Sequence, residues 1–332
     1  MQSTLLRHMA RQTLFGALLA WWMLAAAAAA VLPGPVVSAQ WLKEHAHEVQ
    51  VVDVREDLNT LTDDPKYRTE GGKKVLVRVG GHIPDALSVN FWGLREKREV
   101  QGKTIDFLLP SAESFQQRMQ GVQLQPGKPI VIAATGDDAS SMQEAALFAW
   151  ELQVFGVPAD QIAILDGGTH AWIAAGYPVD TDAIAPMTPS QWTAKQPDAK
   201  LLASTAQVQA AIRARQPLLD ARPLAQFAGL ETSPVAPHPG RLPGSVPVAS
   251  EIQLREADDG SWRFLNARDY RAILAAARWT PPRHASIIYC NTGQYAAAAW
   301  FILERIMGLR GLKVYQGSMN EWQALGLPVI WP

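Results

Sequence analysis

The chain has 332 residues, of which 48% are hydrophobic and 18% are charged, and its formal net charge at pH 7 is -1. This composition is typical of a globular protein with a sizeable core and excludes an intrinsically disordered chain. The near-zero net charge gives no argument for binding nucleic acid or an anionic membrane surface. The length fits one or two domains, and a single cysteine allows no internal disulfide.

The N-terminal segment has the pattern of a secretory signal peptide. Two arginines and a histidine within the first eleven residues precede an apolar run over 14–31, which includes an unbroken alanine stretch at 25–30. We interpret residues 1–30 as a signal peptide cleaved within 26–30, which predicts export to the periplasm. The alternative is an uncleaved membrane anchor, because the run approaches the roughly 20 residues needed to span a bilayer.

The rest of the chain repeats a series of motifs in the same order, which predicts two tandem copies of one domain. The paired segments of the first and second copy are 51–55 with 218–222, 81–86 with 240–245, 129–132 with 286–289, and 164–172 with 315–322. We place the domains at 36–180 and 200–332. A stretch rich in Pro, Ala, Thr and Gln, 181–199, is interpreted as the linker.

Within each copy, short apolar strand candidates alternate with helical stretches. The strongest helix predictions are 144–155 and 296–307, where apolar residues recur at helical spacing. This alternation predicts an α/β fold in which a mainly parallel sheet carries helices on both faces. The reactive loops are expected outside the carboxyl ends of the strands.

The only cysteine, Cys290, lies in a short polar loop between an apolar run at 287–289 and the helix predicted at 296–307. Gly293 gives this loop access to unusual backbone conformations. Backbone N–H groups and the positive end of the helix dipole favour the thiolate there, and the thiolate is the nucleophile. The alternative is a cysteine that acts only as a small buried hydrophobic residue.

The strand, the loop Cys290-Asn291-Thr292-Gly293-Gln294-Tyr295 and the alanine-rich helix together resemble the active-site loop of the rhodanese sulfurtransferases. The segments 218–222, 240–245 and 314–322 also match that family in order and spacing. The resemblance covers nearly all of the chain after the N-terminal segment. It implies two rhodanese-like domains, no cofactor or metal, and two small-molecule partners, a sulfur donor and a thiophilic acceptor.

The resemblance also implies covalent ping-pong catalysis, in which Cys290 takes sulfur as a persulfide and passes it to cyanide or a thiol. We predict that Asn291, Thr292, Gly293, Gln294 and Tyr295 line the site, with loop N–H groups donating hydrogen bonds to the anionic sulfur. The Thr292 hydroxyl and the Gln294 amide are further candidate donors. Tyr295 departs from the residues usual in the family, and it either walls the pocket or donates a hydrogen bond.

Two arginines are candidate clamps for an anionic donor. The resemblance places Arg222 beside the active site, where a guanidinium could hold a sulfonate or carboxylate. Its alternative role is an ion pair with Asp220, which we expect to support the loop by accepting backbone N–H bonds. Arg241 is the second candidate, in the position that His82 holds in the first copy.

The first copy has no cysteine. In its corresponding loop, 133–140, we expect Asp137 and Asp138 to replace the nucleophile, so this domain is predicted to be inactive and to shape one wall of the cleft. Their charges would repel an anionic donor. The alternatives for the pair are a metal site or a solvated helix cap.

Two features of the sequence favour different sulfur donors. The segment 291–296 contains no lysine or arginine, which in this family favours 3-mercaptopyruvate, whereas export favours thiosulfate. We predict a monomeric thiosulfate sulfurtransferase, with 3-mercaptopyruvate sulfurtransferase as the alternative and a non-catalytic binding module as the alternative of another class. A phosphatase with Cys-x5-Arg is excluded because the sixth residue after Cys290 is Ala296. No second cysteine is present to resolve an oxidised Cys290.

Overall fold

The computed structural model describes residues 32–183, 188–279 and 286–331. Apolar runs that do not alternate with polar residues form the central strands of its two parallel sheets. The strand Gln50–Arg55 is buried along its whole length, and so is Ile130–Ala133. Such strands belong in parallel sheets that are covered on both faces. The predicted signal peptide, 1–30, lies outside the described residues.

The elements described in the first domain are the strands β1 (Val36–Val37), β2 (Gln50–Arg55), β3 (Lys66–Glu70), β4 (Lys73–Arg78), β5 (Leu87–Asn90), β6 (Glu96–Val100), β7 (Lys103–Leu108), β8 (Ile130–Ala133) and β9 (Ile162–Leu165), and the helices α1 (Ala39–His45), α2 (Ala112–Gly121), α3 (Ala139–Val154) and α4 (Gly168–Ala174). The parallel sheet has the order β1-β9-β8-β2-β5. Two antiparallel hairpins, β3–β4 and β6–β7, lie outside it.

The elements described in the second domain are the strands β10 (Leu218–Asp220), β11 (Ser245–Pro247), β12 (Arg255–Glu256), β13 (Trp262–Arg263), β14 (Ile287–Tyr289) and β15 (Lys313–Val314), and the helices α5 (Thr205–Arg213), α6 (Leu224–Phe227), α7 (Ala267–Ala276), α8 (Gln294–Trp300) and α9 (Ser318–Ala324). The parallel sheet has the order β11-β10-β14-β15. A parallel bridge from Leu202 to Val314 occupies the place that β1 has in the first domain. The predicted α/β architecture, with two tandem parallel sheets and flanking helices, is confirmed.

The two domains share a hydrophobic core. The helix α3 is buried from Ser141 to Val154, because it packs on its own sheet and also against α8 of the second domain. The largest apolar cluster contains buried residues of both sheets together with both of these helices. Burying a large aliphatic or aromatic side chain contributes about 1.5–3 kcal/mol. The relative position of the domains is therefore fixed by a continuous core.

Each domain also contributes a hairpin to the loops of the other domain. Leu109, just after β7, donates its N–H to Gln316 Oε1 at 2.7 Å. In the reciprocal contact, Phe264, just after β13, donates its N–H to Asp166 Oδ1 at 3.1 Å. Each loop region is thus completed by a segment from the other copy.

Within the described ranges, no helix has the length and apolar character needed to cross a membrane.

Candidate active site

Cys290 follows β14 directly, at the carboxyl end of a central strand. The neighbouring strand β10 ends beside it, since Asp220 pairs with Tyr289 in the parallel register. The cysteine is buried, with 1% of its surface exposed. The thiol therefore lies where reactive groups of open parallel sheets are expected, shielded from bulk water.

The loop directs one backbone donor at the sulfur. The N–H of Gly293 points at Cys290 Sγ, with a nitrogen–sulfur distance of 3.1 Å. Gly293 has a φ of +90°, and an added Cβ would lie 2.9 Å from the carbonyl oxygen of Gln316. Only glycine fits this conformation and this space. The N–H aimed at Sγ, together with the N-terminus of α8 that begins at the next residue, favours negative charge on the sulfur.

Ser318, at the start of α9, supports the cysteine from the other side. Its Oγ accepts the backbone N–H of Cys290 at 3.0 Å, donates to the carbonyl of Tyr315 at 2.7 Å, and lies 4.0 Å from Sγ. The carbonyl of Cys290 accepts the N–H of Met319 at 3.1 Å. The motif at 315–322 was recognised in the sequence, but this role of its serine was not foreseen.

Arg222 is held by Asp220. Its Nη2 lies 2.7 Å from Asp220 Oδ2 and 3.0 Å from the carbonyl oxygen of Gly240, and both residues are buried. Asp220 also accepts the N–H of Arg222 at 3.0 Å and the hydroxyl of Tyr289 at 2.6 Å. These contacts match the ion-pair alternative for Arg222.

The first copy contains the same unit without a thiol. Arg55 binds Asp53 and the carbonyl of Gly81 as Arg222 binds Asp220 and that of Gly240. The unit therefore supports the strand ends in both domains. Arg222 is nevertheless within electrostatic range of Cys290, and its Nη1 makes no hydrogen bond in the described part of the chain. Its role as an anion clamp stays a prediction.

Arg241 contacts α6 and not the cysteine loop. Its guanidinium lies 4.8 Å from the centre of the Phe227 ring, and its Nη1 is 3.4 Å from the carbonyl oxygen of Phe227. Nothing in these contacts directs Arg241 at the sulfur. Its role in binding the donor stays a prediction.

The side chains of the other predicted loop residues contact different domains. Asn291 donates from Nδ2 to Gln226 Oε1 at 2.8 Å, and its buried Oδ1 has no hydrogen-bond partner among the described residues. Gln294 instead reaches Ser140 Oγ of the first domain at 3.1 Å. Tyr295 is half-buried, and burial, followed by the charges of Cys290 and Glu251, raises the pKa of its hydroxyl.

Two residues of the interdomain wall were not foreseen. Arg95 of the first domain is buried and donates from Nη1 to the carbonyl of Thr292 at 2.6 Å. Gln316 accepts the N–H of Leu109 through its Oε1, and its Nε2 donates to the carbonyl of Phe107 at 2.5 Å. The sequence carries no signal for either contact, because the partners are about two hundred residues apart.

The corresponding loop of the first copy has Ala134 where the second copy has Cys290. The carbonyl of Ala134 accepts the N–H of Thr169 at 2.8 Å, as that of Cys290 accepts the N–H of Met319. The expectation that Asp137 and Asp138 replace the nucleophile is therefore wrong. The pairing of 129–132 with 286–289 is also one residue out of step, since Val51 and Leu218 pair with Val131 and Ile287. Under either pairing the residue opposite Cys290 is an alanine.

The two aspartates have separate structural roles. Asp138 is the N-cap of α3, where it accepts the N–H of Ser141 at 2.8 Å, which agrees with the helix-cap alternative. Asp137 accepts the N–H of Val79 at 2.8 Å and lies 2.7 Å from His170 Nδ1. Among the described residues, no group of three or more histidine, cysteine or acidic side chains is arranged to hold a metal ion.

Known proteins resemble the chain over most of its length. A relative from Haloferax volcanii named "Putative thiosulfate sulfurtransferase" is 26% identical over 297 residues, covering 89% of this chain and 95% of that protein. "Putative thiosulfate sulfurtransferase SseA" from Mycobacterium leprae is 27% identical over 294 residues, covering 87% and 88%. The crystal structure of SseA from Escherichia coli, described among 3-mercaptopyruvate sulfotransferases, has a TM-score of 0.67 at 21% identity, covering 86% of this chain and 98% of that one.

A match to a protein-family model shows which family the chain belongs to. The model of the rhodanese-like domain matches residues 38–175 and again residues 204–325. The two matches include every strand of both parallel sheets except β1, and both of the loops compared above. Because they cover well over half of the chain, the protein belongs to the rhodanese-like domain family and contains two tandem copies of that domain.

Proposed function

We propose that this sulfurtransferase moves the sulfane sulfur of thiosulfate to a thiophilic acceptor through a persulfide on Cys290. The observation that carries the proposal is the single thiol at the end of β14 with the N–H of Gly293 directed at its sulfur. A persulfide is anionic, so a preorganised donor at this position stabilises it. Sulfurtransferase activity agrees with the family membership and with the names of the relatives.

The reaction balances without an outside oxidant or reductant. The Cys290 thiolate attacks the outer sulfur of thiosulfate, an S–S bond forms, and the S–S bond of the donor breaks, so sulfite leaves with the electron pair. An acceptor such as cyanide then attacks the outer sulfur of the persulfide. Thiocyanate leaves and the Cys290 thiolate is restored.

The donor is the part of the proposal with two candidates. The relatives named for thiosulfate support thiosulfate, as does the export predicted from the N-terminal segment. The absence of lysine and arginine from 291–296 favours 3-mercaptopyruvate, which is also the substrate in the description of the E. coli structure. Both donors deliver sulfur to the same cysteine.

Intact-protein mass spectrometry separates these possibilities. Protein incubated with thiosulfate is expected to gain the mass of one sulfur atom, to lose it on addition of cyanide, and to gain nothing in the Cys290→Ala variant. A parallel incubation with 3-mercaptopyruvate compares the rates, and faster loading from it replaces thiosulfate in the proposal. If neither donor loads Cys290, the catalytic proposal fails and the binding module remains.

We also propose that the chain is exported and acts as a monomer. The apolar run at 14–31 after a basic start supports export. Fractionation of expressing bacteria, with N-terminal mass mapping of the purified protein, tests it. A chain in the periplasm that starts within 27–31 agrees with the proposal, whereas an intact N-terminus in the membrane fraction indicates an anchor. Light scattering of the purified protein gives the oligomeric state.

A further inference from the structure

Arg95 is a buried cation that the first domain places against the cysteine loop. It follows the short 3-10 helix Phe91–Leu94, and its guanidinium carbon lies 5.1 Å from the centre of the Phe91 ring. Its Nη1 lies 2.6 Å from the carbonyl oxygen of Thr292 and 3.3 Å from that of Phe107. Within the loop 291–296 there is no lysine or arginine. The charge that the loop lacks is therefore present in the wall formed by the other domain.

The bond from Arg95 also orients the loop. The carbonyl of Thr292 and the N–H of Gly293 belong to the same peptide unit, which is planar, so fixing one end fixes the direction of the other. Arg95 holds the carbonyl on the side of the first domain. The N–H is then held toward Cys290 Sγ, at 3.1 Å.

The acidic groups around Arg95 are themselves disfavoured as anions by burial. The acidic residues facing it are Glu144 and Glu151 on α3, and burial raises their pKa values to about 9 and about 8. Burial therefore favours the protonated form of both carboxyls near neutral pH. Burial also lowers the pKa of Arg95, although the charges of Glu151, Cys290 and Glu144 oppose this effect. Arginine stays charged in proteins.

Among the described residues, the other charged and titratable groups near Cys290 do not supply a second unpaired positive charge. Arg222 is held in its ion pair with Asp220, and Tyr295 keeps its proton because burial raises its pKa.

We propose that Arg95 is a positioning residue for sulfur transfer, which acts from the first domain by orienting the Thr292–Gly293 peptide and by placing a positive charge beside the anionic sulfur. The catalytically silent domain thus completes the active site and does more than cover it. The inference rests on Cys290 being the nucleophile.

The chain offers a matched control at the same interface. Arg305, in the π-helical segment Phe301–Ile306, stacks 5.9 Å from the centre of the Phe301 ring and donates to the carbonyl of Ala159 at 2.6 Å. It is also an arginine that holds a carbonyl of the other domain and stacks on a nearby phenylalanine. It contacts β9 and the segment before it, not the cysteine loop.

The test measures the pH dependence of Cys290 alkylation by iodoacetamide, which reports this thiol alone because the chain has one cysteine. Arg95→Gln retains a donor but removes the charge, Arg95→Met removes both, and Arg95→Lys retains the charge. We expect the midpoint of alkylation to move upward by about one pH unit in Arg95→Met, so the rate at pH values well below both midpoints falls about tenfold. Arg95→Gln is expected to show most of this shift, Arg95→Lys a smaller one, and Arg305→Met none.

Steady-state kinetics with thiosulfate and cyanide give a second readout. The kcat of Arg95→Gln is expected to fall about tenfold with little change in the KM for the donor, because Arg95 stabilises the anionic sulfur through the loop. A folded Arg95→Gln or Arg95→Met variant with an unchanged alkylation midpoint overturns the proposal, as does an equal shift in Arg305→Met. If Arg95→Met does not fold, the Arg95→Gln and Arg95→Lys comparison decides. Failure of the wild type to load sulfur would refute the proposed function without affecting the alkylation result.

Discussion

Ala134 and Cys290 occupy equivalent positions at the carboxyl ends of β8 and β14, with the same backbone contact to the start of α4 and α9. The two loops then diverge. In the second copy Gly293 directs its N–H at the sulfur, whereas Asp137 stands at the equivalent position in the first and binds His170 and Val79. The comparison shows that the copy without a cysteine uses its loop for structural contacts, whereas the copy with Cys290 uses its loop to direct a donor at the sulfur. Each of the following experiments alters one side of that comparison.

The largest effect is expected from exchanging the nucleophile between the two loops. Cys290→Ala is expected to abolish sulfur loading, and adding Ala134→Cys is expected to leave loading below about 1% of wild type, since a carboxylate close to a thiol opposes its ionisation and repels an anionic donor. Intact-protein mass spectrometry measures the outcome. Near wild-type loading of the relocated cysteine would show that the equivalent strand end, and not the loop, provides the reactivity.

Gly293→Ala tests the glycine that orients the donor to the sulfur. The substitution combines a left-handed φ with a Cβ only 2.9 Å from the carbonyl oxygen of Gln316, so we expect a stability loss of about 3 kcal/mol and more than tenfold slower sulfur transfer. Urea unfolding and initial rates measure both effects. Gly308→Ala is the control, because its φ is +79° but an added Cβ meets no atom within 4 Å, and about 1 kcal/mol is expected there. Equal losses in the two variants would contradict the steric explanation.

Asp166→Asn gives the first copy an amide where the second has Gln316. Burial raises the pKa of Asp166 to about 6, so its ionised form is disfavoured in the folded state. The stability associated with its protonated form is full below pH 3.8 and is lost as the pH rises through about 6. The asparagine variant is therefore expected to be more stable than wild type at pH 8, by at most about 3 kcal/mol, and to differ less at pH 4. Urea unfolding at both pH values measures this, and a variant destabilised equally at both would contradict it.

His170→Asn makes the smallest change and copies the residue at the equivalent position of α9, Asn320. Both ring nitrogens of His170 face oxygen acceptors, Asp137 Oδ1 at 2.7 Å and the carbonyl of Asp259 at 2.9 Å. Burial lowers the pKa of His170, but the bonds to these two residues outweigh burial and raise it overall. Its stabilising contribution is full below pH 6.5 and is lost as the pH rises through the higher folded-state value.

The expected result is that wild type loses about 1 kcal/mol more than His170→Asn between pH 6 and pH 9. Urea unfolding of both proteins at the two pH values measures the difference. Comparing the proteins removes the contributions of Glu144 and Glu151, which titrate in the same range. Identical pH dependence in the two proteins would show that His170 is not charged in the folded state.

The fold could be predicted from the sequence because its signals are local. Apolar runs, helical spacing and a repeated motif order indicated the two parallel sheets, and the polar loop after 287–289 indicated where Cys290 lies. The register of the first copy was not recoverable, because β8 ends in Ala133 and Ala134 follows it, so the strands resemble each other when shifted by one residue. Such a shift moves every side chain to the other face of the sheet.

The part of the site formed by the other domain could not be predicted. Arg95 and Thr292 are 197 residues apart, and no periodicity or motif connects them. The segment Glu96–Val100 after Arg95 is mostly charged, which is typical of an exposed strand, so a buried arginine at its start leaves no pattern. Contacts of this kind depend on how two folded surfaces meet, which local propensity does not encode.

The reciprocal hairpin contacts have a consequence for the order in which the chain becomes active. Contacts between distant segments form late because a long loop must close first. A ribosome-bound chain that has completed only the first domain has Arg95 and its hairpin but not the loops that they contact, because the second domain is made after the first. Catalytic competence is therefore expected to appear after both sheets have formed, when the hairpins dock, and to lag behind the protection of either sheet in a refolding experiment.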